Sequence, residues 1–219
     1  MANDNGAKIK PLYEHEPKLK IRRPREILTK IHLDLFKIHS NVQPALAYYP
    51  PALTNLEKLT LVLEDRRFLV HHGLDVKSVL REILRAVTFR RHGGASTIDM
   101  QFVRTSTGYK ERTLARKLYE MFLAIIIQFR YSKIEILRSY LACAYFGSHR
   151  RGADAAAHKI FGKRADDLSI EEAAFIAAML VYPRPRQPTV EWESRVHRRA
   201  DYGKRIYITN KERFDQLPG

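Results

Sequence analysis

The chain has 219 residues, 45% apolar and 29% charged, enough for one globular domain with a sizeable core and too apolar for disorder throughout. Ten glycines, ten prolines and a single cysteine, Cys143, exclude collagen-like and low-complexity chains, an intrachain disulfide framework and a cysteine-based zinc site. Lys and Arg number 39 against 24 Asp and Glu, a net charge of +15, and such a balance calls for a negative partner: nucleic acid, anionic lipid or a phosphorylated substrate. In chain order, residues 1–23 are polar and aperiodic and read as a mobile basic arm, with 24–219 as a single domain. Ile27, Leu28, Ile31, Leu35 and Ile38 form a helical stripe over 25–39, and Tyr48-Tyr49-Pro50-Pro51 makes 41–53 an irregular linker. Thr54 and Glu57 are a capping box for a helix to about Phe68. Asp75 caps the next, to about Arg90; Gly93-Gly94 ends it, and Ser96 with Asp99 opens another. Glu111 to about Arg130 reads as the longest helix. Ser132 with Glu135 and Ser169 with Glu172 head helices to about Ala144 and Val181, with further helices over 152–161 and 191–207. No stretch alternates with period two, so the expected fold class is all-α.

Apolar runs such as Met121 to Ile127 are far short of the roughly 18 residues of a membrane span, and no apolar signal region follows the basic N-terminus. Basic charge concentrates between Lys77 and Lys117, with ten cations against three acids.

Three constellations could carry chemistry. In Glu64-Asp65-Arg66-Arg67-Phe68, with His71 and Gly73, an apolar helix end delivers a carboxylate into a basic turn. Such a carboxylate suits general acid or base work, although a structural salt-bridge cluster has the same composition. Gly93-Gly94-Ala95-Ser96-Thr97, then Gln101 and Arg104, offers a helix N-terminus to an anion, or is a plain helix cap. Arg112, Arg116 and Glu120 recur every four residues on one predicted helix, with Lys117 beside them. They form solvated ion pairs unless the apolar run behind them buries the face. No His or carboxylate cluster has metal-ligand spacing, and no cofactor is required, though a divalent cation on a substrate pyrophosphate is physically sensible.

Read together, the motifs resemble those of the peptidoglycan glycosyltransferases, the transglycosylases found as monofunctional enzymes and as the N-terminal domain of bifunctional penicillin-binding proteins. Glu64 to Gly73 matches E-D-x-x-F-x-x-H-x-G, Gly94 to Gln101 resembles G-x-S-T-I-x-x-Q, and Arg116 to Glu120 matches R-K-x-x-E. Lys133 to Gly147 resembles K-x-E-I-L-x-x-Y-L-x-x-x-Y-F-G, and 152–183 is similar to the last motif block. The resemblance implies a lysozyme-like all-α fold with a large lobe and a smaller membrane-touching jaw. It implies polymerisation of lipid II into β-1,4 glycan strands, with inversion and release of polyprenyl pyrophosphate. Glu64 would be the general base and Glu120 would assist near the donor pyrophosphate. Arg67, Arg104, Arg112, Arg116 and Lys117 would bind phosphates, with Ser96, Thr97 and Gln101 as further substrate contacts. The implied partners are lipid II, the nascent strand, a peripherally bound anionic membrane surface, met by the arm and by Leu46, Tyr48 and Tyr49, and a membrane-anchored cell-wall synthesis partner. The implied location is the outer face of the cytoplasmic membrane; with no span or signal visible, a cytoplasmic one stays open.

The sequence departs from the family pattern at Met100 (commonly Gln), Arg104 (Lys), Arg138 (Glu) and Ala142 (Asn), and the anchor helix that usually precedes the first motif is not expected among these residues. A lysozyme-like hydrolase or lytic transglycosylase shares the fold and a catalytic Glu, but its substrate gives the aligned cations no task. A basic helical nucleic-acid binder fits the charge alone, so nucleic acid is not expected as the partner. A non-catalytic scaffold would have no need of both carboxylates.

Overall fold

The computed structural model describes residues 18–19, 24–42, 52–87, 96–148 and 150–217. The helices are α1 (Pro24–Val42), α2 (Asn55–Glu64), α3 (Val76–Val87), α4 (Ile98–Thr107), α5 (Leu114–Ile127) and α6 (Lys133–Cys143), then α7 (Ala153–Phe161), α8 (Ile170–Ala178), α9 (Val190–Thr209) and α10 (Lys211–Asp215). A hairpin of β1 (Tyr145–Gly147) and β2 (Arg150–Arg151) interrupts them. Its strands are too short to show a period in the sequence. The fold is all-α, as the helical patterning predicts.

All three capping boxes form: the hydroxyls of Thr54, Ser132 and Ser169 accept from the amides of Glu57, Glu135 and Glu172, whose carboxylates return to the cap amides. Other ends differ from the sequence reading. Helix α2 stops at Glu64 rather than near Phe68, because the Asp65 carboxylate turns the chain by accepting from the amides of Arg67 and Ile98, both at 3.3 Å. Thr97, not Ser96, caps α4; its Oγ1 accepts from Met100 N, while Ser96 is drawn to Lys117. Thr113 caps α5, which starts at Leu114 and not at Glu111, and α9, at 20 residues, is longer. The Glu111 carboxylate instead accepts from the amide of Leu19 at 2.8 Å, tying that part of the arm to the body. The rest of the arm, Tyr48 and Tyr49 of the linker, and Gly93-Gly94 lie outside the described residues.

Two helix groups share one core. In the first, α2 packs on α8 and α9; in the second, α4 packs on α5, α6 and α1. Leu59, Val62, Phe102, Val103, Leu123, Ile136, Phe146, Ile176 and Val196 are all buried in it. The Asp34 carboxylate, buried on α1, accepts from the hydroxyls of Tyr109 at 2.7 Å and Tyr119 at 3.0 Å, fixing α1 to the second group. The C-terminus of α2 and the N-terminal half of α4 meet where the groups join, and that junction carries the polar cluster described next.

Candidate active site

Glu64 is the last residue of α2, with its side chain 9% exposed. Each carboxylate oxygen has a donor from a different helix. Gln101 Nε2 on α4 donates to Oε2 at 3.1 Å, and Arg199 Nη2 on α9 donates to Oε1 at 2.8 Å and to the Leu63 carbonyl at 3.0 Å. Behind Gln101, the buried Tyr140 hydroxyl of α6 donates to its Oε1 at 2.7 Å. Glu64 also lines a cavity of about 500 Å3 together with Arg66, Arg67, Arg81, Ser96, Thr97, Arg199 and Tyr202, among others. Asp65 and Asp75 line the same space, so three acids share it with the four guanidinium groups of Arg66, Arg67, Arg81 and Arg199.

The turn that presents Glu64 is braced from behind. His71 Nε2 lies 2.9 Å from Asp65 Oδ2, and Lys133 Nζ lies 3.0 Å from Asp99 Oδ2 and 3.5 Å from His71 Nδ1. Thr97 Oγ1 donates to the Gly73 carbonyl at 2.8 Å. Gly73 has φ +78°, and a β-carbon there would come within 2.4 Å of the Ala124 carbonyl oxygen, so the turn closes on α5 only with glycine. Asp65, His71 and Asp99 bring metal-ligand atoms within 4.8 Å of one another, a grouping that spacing along the chain does not reveal. Lys133 supplies a cation to this group from the chain itself. Burial pushes the Asp99 carboxyl up and the Lys133 ammonium down, and the attraction between the two opposes both shifts.

The second carboxylate, Glu120 on α5, is 1% exposed and paired with Arg116, itself buried. Burial raises the Glu120 carboxyl, and Arg116, Arg104 and Lys117 pull it back. Lys117 is lowered by burial and by its cationic neighbours Arg104 and Arg116, and its Nζ donates to Ser96 Oγ at 2.6 Å. Ser96 therefore links this cluster to the wall of the Glu64 cavity. Arg104 is exposed on α4, and Arg67 is half-buried, 3.7 Å from Asp75. Arg112 is exposed and precedes α5, so the three-residue line expected along one helix reduces to Arg116 and Glu120.

Sequence reasoning missed Arg199, Arg66 as a cavity residue, Arg81 and Tyr202. Arg66 donates to the Tyr202 hydroxyl at 2.6 Å, joining the α2–α3 turn to α9. Of the departures, Met100 is a core residue, 1% exposed, and Arg138 pairs with Glu57 at 2.8 Å.

The sequence model of the family described as Transglycosylase matches residues 38–206. The chain belongs to the transglycosylase family. It is 39% identical over 173 residues to penicillin-binding protein 1A of Escherichia coli, an alignment covering 76% of this chain and 20% of that protein. Penicillin-binding protein 1A of Clostridium botulinum is 34% identical over 159 residues (70% and 19%), and penicillin-binding protein 2a of Streptococcus pneumoniae is 37% identical over 145 (66% and 19%). The chain spans about a fifth of the length of the curated relatives it matches. Membership places it among glycosyl-transferring enzymes and agrees with the motif order and the all-α fold.

Proposed function

We propose that this transglycosylase polymerises lipid II into β-1,4 glycan strands, with Glu64 as general base, inversion at the donor sugar and release of polyprenyl pyrophosphate. The observation that carries the reading is the shared cavity, where the Glu64 carboxylate faces the same space as Arg66, Arg67 and Arg81. A base beside a cluster of guanidinium groups suits a sugar hydroxyl attacking a sugar carried on phosphate. The acceptor 4-hydroxyl oxygen bonds to C1 of the donor as the bond from C1 to the pyrophosphate oxygen breaks. The hydroxyl proton passes to Glu64, and the electron pair leaves with the pyrophosphate. Attack from the face opposite the leaving group inverts the centre.

Arg116, Lys117 and Glu120, joined to the cavity wall through Ser96, then serve the leaving group. Guanidinium and ammonium groups held in place before reaction stabilise charge growing on the pyrophosphate without having to reorganise. A divalent cation carried on the substrate pyrophosphate would add to the same charge neutralisation. A hydrolase acting on an uncharged glycan gains nothing from this arrangement, which favours synthesis over cleavage.

The polyprenyl tail of such a substrate keeps the reaction at a membrane surface, and no helix of the described residues is long and apolar enough to cross a membrane. Exposed apolar side chains run along α5 at Leu114, Leu118, Phe122 and Ile125 to Phe129 just beyond it. At its far end Ile126 and Phe129 share a cavity with Leu35 and Phe36 of α1, and Ile125 shares another with Val76 and Lys77 of α3. This apolar face with cations at its edge suits peripheral attachment to an anionic bilayer. Purified protein given lipid II should form glycan strands resolvable on a gel. Fragmentation of preformed strands without new polymer would overturn the reading.

A further inference from the structure

The chain of hydrogen bonds behind Glu64 has a direction, and its members differ in their access to substrate. Gln101 is buried and Tyr140 more so, and neither lines the cavity that Glu64 faces. A glutamine amide has two ends of nearly equal shape and opposite polarity. Only its nitrogen end can donate to a carboxylate; turned over, it would set its oxygen against Glu64 Oε2. Glu64, which only accepts, takes the nitrogen end, and the Tyr140 hydroxyl, donating to Gln101 Oε1 at 2.7 Å, holds the oxygen end at α6, so the two together fix the amide. Burial, with Glu64 nearby, raises the Tyr140 phenol well beyond its ordinary range, so this hydroxyl stays protonated and able to donate. On the opposite oxygen, Arg199 holds the carboxylate and the α2 carbonyl of Leu63 together.

We propose that Tyr140 and Gln101 are positioning residues for the transglycosylation step: Tyr140 fixes the orientation of the Gln101 amide, and that amide fixes the orientation of the Glu64 carboxylate toward the acceptor hydroxyl. The inference rests on Glu64 as general base. It assigns Gln101 a task behind the acid, in place of the substrate contact that family resemblance implies, and gives Tyr140 a part in catalysis without touching substrate. A misdirected base lowers the rate of the chemical step and leaves substrate binding alone, since proton transfer tolerates little error in distance or angle.

The test is a double-mutant cycle on lipid II polymerisation, with kcat and KM measured separately for Tyr140→Phe, Gln101→Met and the double variant. Tyr140→Phe should lower kcat about tenfold with KM unchanged, and Gln101→Met should lower it at least as much. The double variant should match Gln101→Met, because the hydroxyl acts only through the amide. Additive losses, an unchanged kcat for Tyr140→Phe, or a loss carried by KM would overturn the assignment. If Tyr140→Phe does not fold, Gln101→Met decides alone: a fall in kcat at constant KM supports the proposal, and a rise in KM or no change contradicts it. Glu64→Gln, run in parallel, separates the two layers. An active Glu64→Gln removes the base and the proposal with it, whereas an inactive Glu64→Gln beside a fully active Tyr140→Phe leaves the base and removes the positioning.

Discussion

Arg112 and Arg116 look alike in the sequence, four residues apart in a basic stretch, and folding gives them opposite situations. Arg116 is buried against Glu120, while Arg112 is exposed ahead of the cap of α5. Arg116→Ala should leave the buried Glu120 carboxylate without its main partner and cost about 3 kcal/mol, the low end for breaking a buried pair. For a domain of this size that is a fall in Tm of roughly 10 °C. Arg112→Ala should stay within about 0.5 kcal/mol of the parent. Thermal melts of both variants check this, and equal melting temperatures would mean that Lys117 and Arg104 satisfy Glu120 without Arg116. The four-residue spacing was legible as a reason to pair 116 with 120. That 112 falls outside the helix was not, because the cap at Thr113 competes with Glu111, whose carboxylate is engaged by Leu19 from the distant arm.

Helix starts were readable where a capping box heads them, because the box is local: Thr54, Ser132 and Ser169 each find their partner three residues on, whereas the starts of α4 and α5, which have none, were misplaced. Helix ends and site partners were less so, because they depend on contacts from elsewhere in the chain. Helix α2 ends at Glu64 through Asp65 bonds that reach His71 and the start of α4. Arg199 arrives at Glu64 from 135 residues away and Tyr140 at Gln101 from 39, separations that no motif spacing encodes. The departure at Arg138 belongs here too. Read against the family pattern it is an anomaly, and in the fold it is the partner of Glu57, the residue that closes the α2 capping box. Arg138→Glu should therefore destabilise α2 by about 3 kcal/mol through facing carboxylates and the loss of a buried pair. Adding Glu57→Lys should recover part of that loss, although the capping box is gone. Urea denaturation of the two single variants and the double variant measures the coupling; strict additivity would show that the two groups do not act as a pair.

For the whole molecule, the all-α class and the order of the motifs were visible from the sequence, since both rest on periodicity and spacing. The apolar face was not, because residues such as Phe122 and Ile125 sit in the same apolar run that fills the core with Leu123, Ala124 and Ile127. If that face meets the bilayer, Phe122→Ser with Phe129→Ser should reduce co-sedimentation with anionic liposomes several-fold while leaving the melting temperature unchanged. A variant lacking residues 1–23 should lose only the salt-sensitive part of the binding. If the parent protein itself does not pellet, delivery by a membrane-anchored partner replaces direct attachment. Membrane contact would bring enzyme and substrate together, but the proposed reaction turns on one carboxylate, Glu64, held between α4 and α9 and facing a cavity lined with guanidinium groups. The most direct measurement is therefore lipid II polymerisation by Glu64→Gln, with lipid II binding and thermal stability measured on the same preparation. Loss of at least about 100-fold in turnover, with binding and melting close to the parent, is the predicted result for removal of a general base. Turnover within a few-fold of the parent would contradict the account.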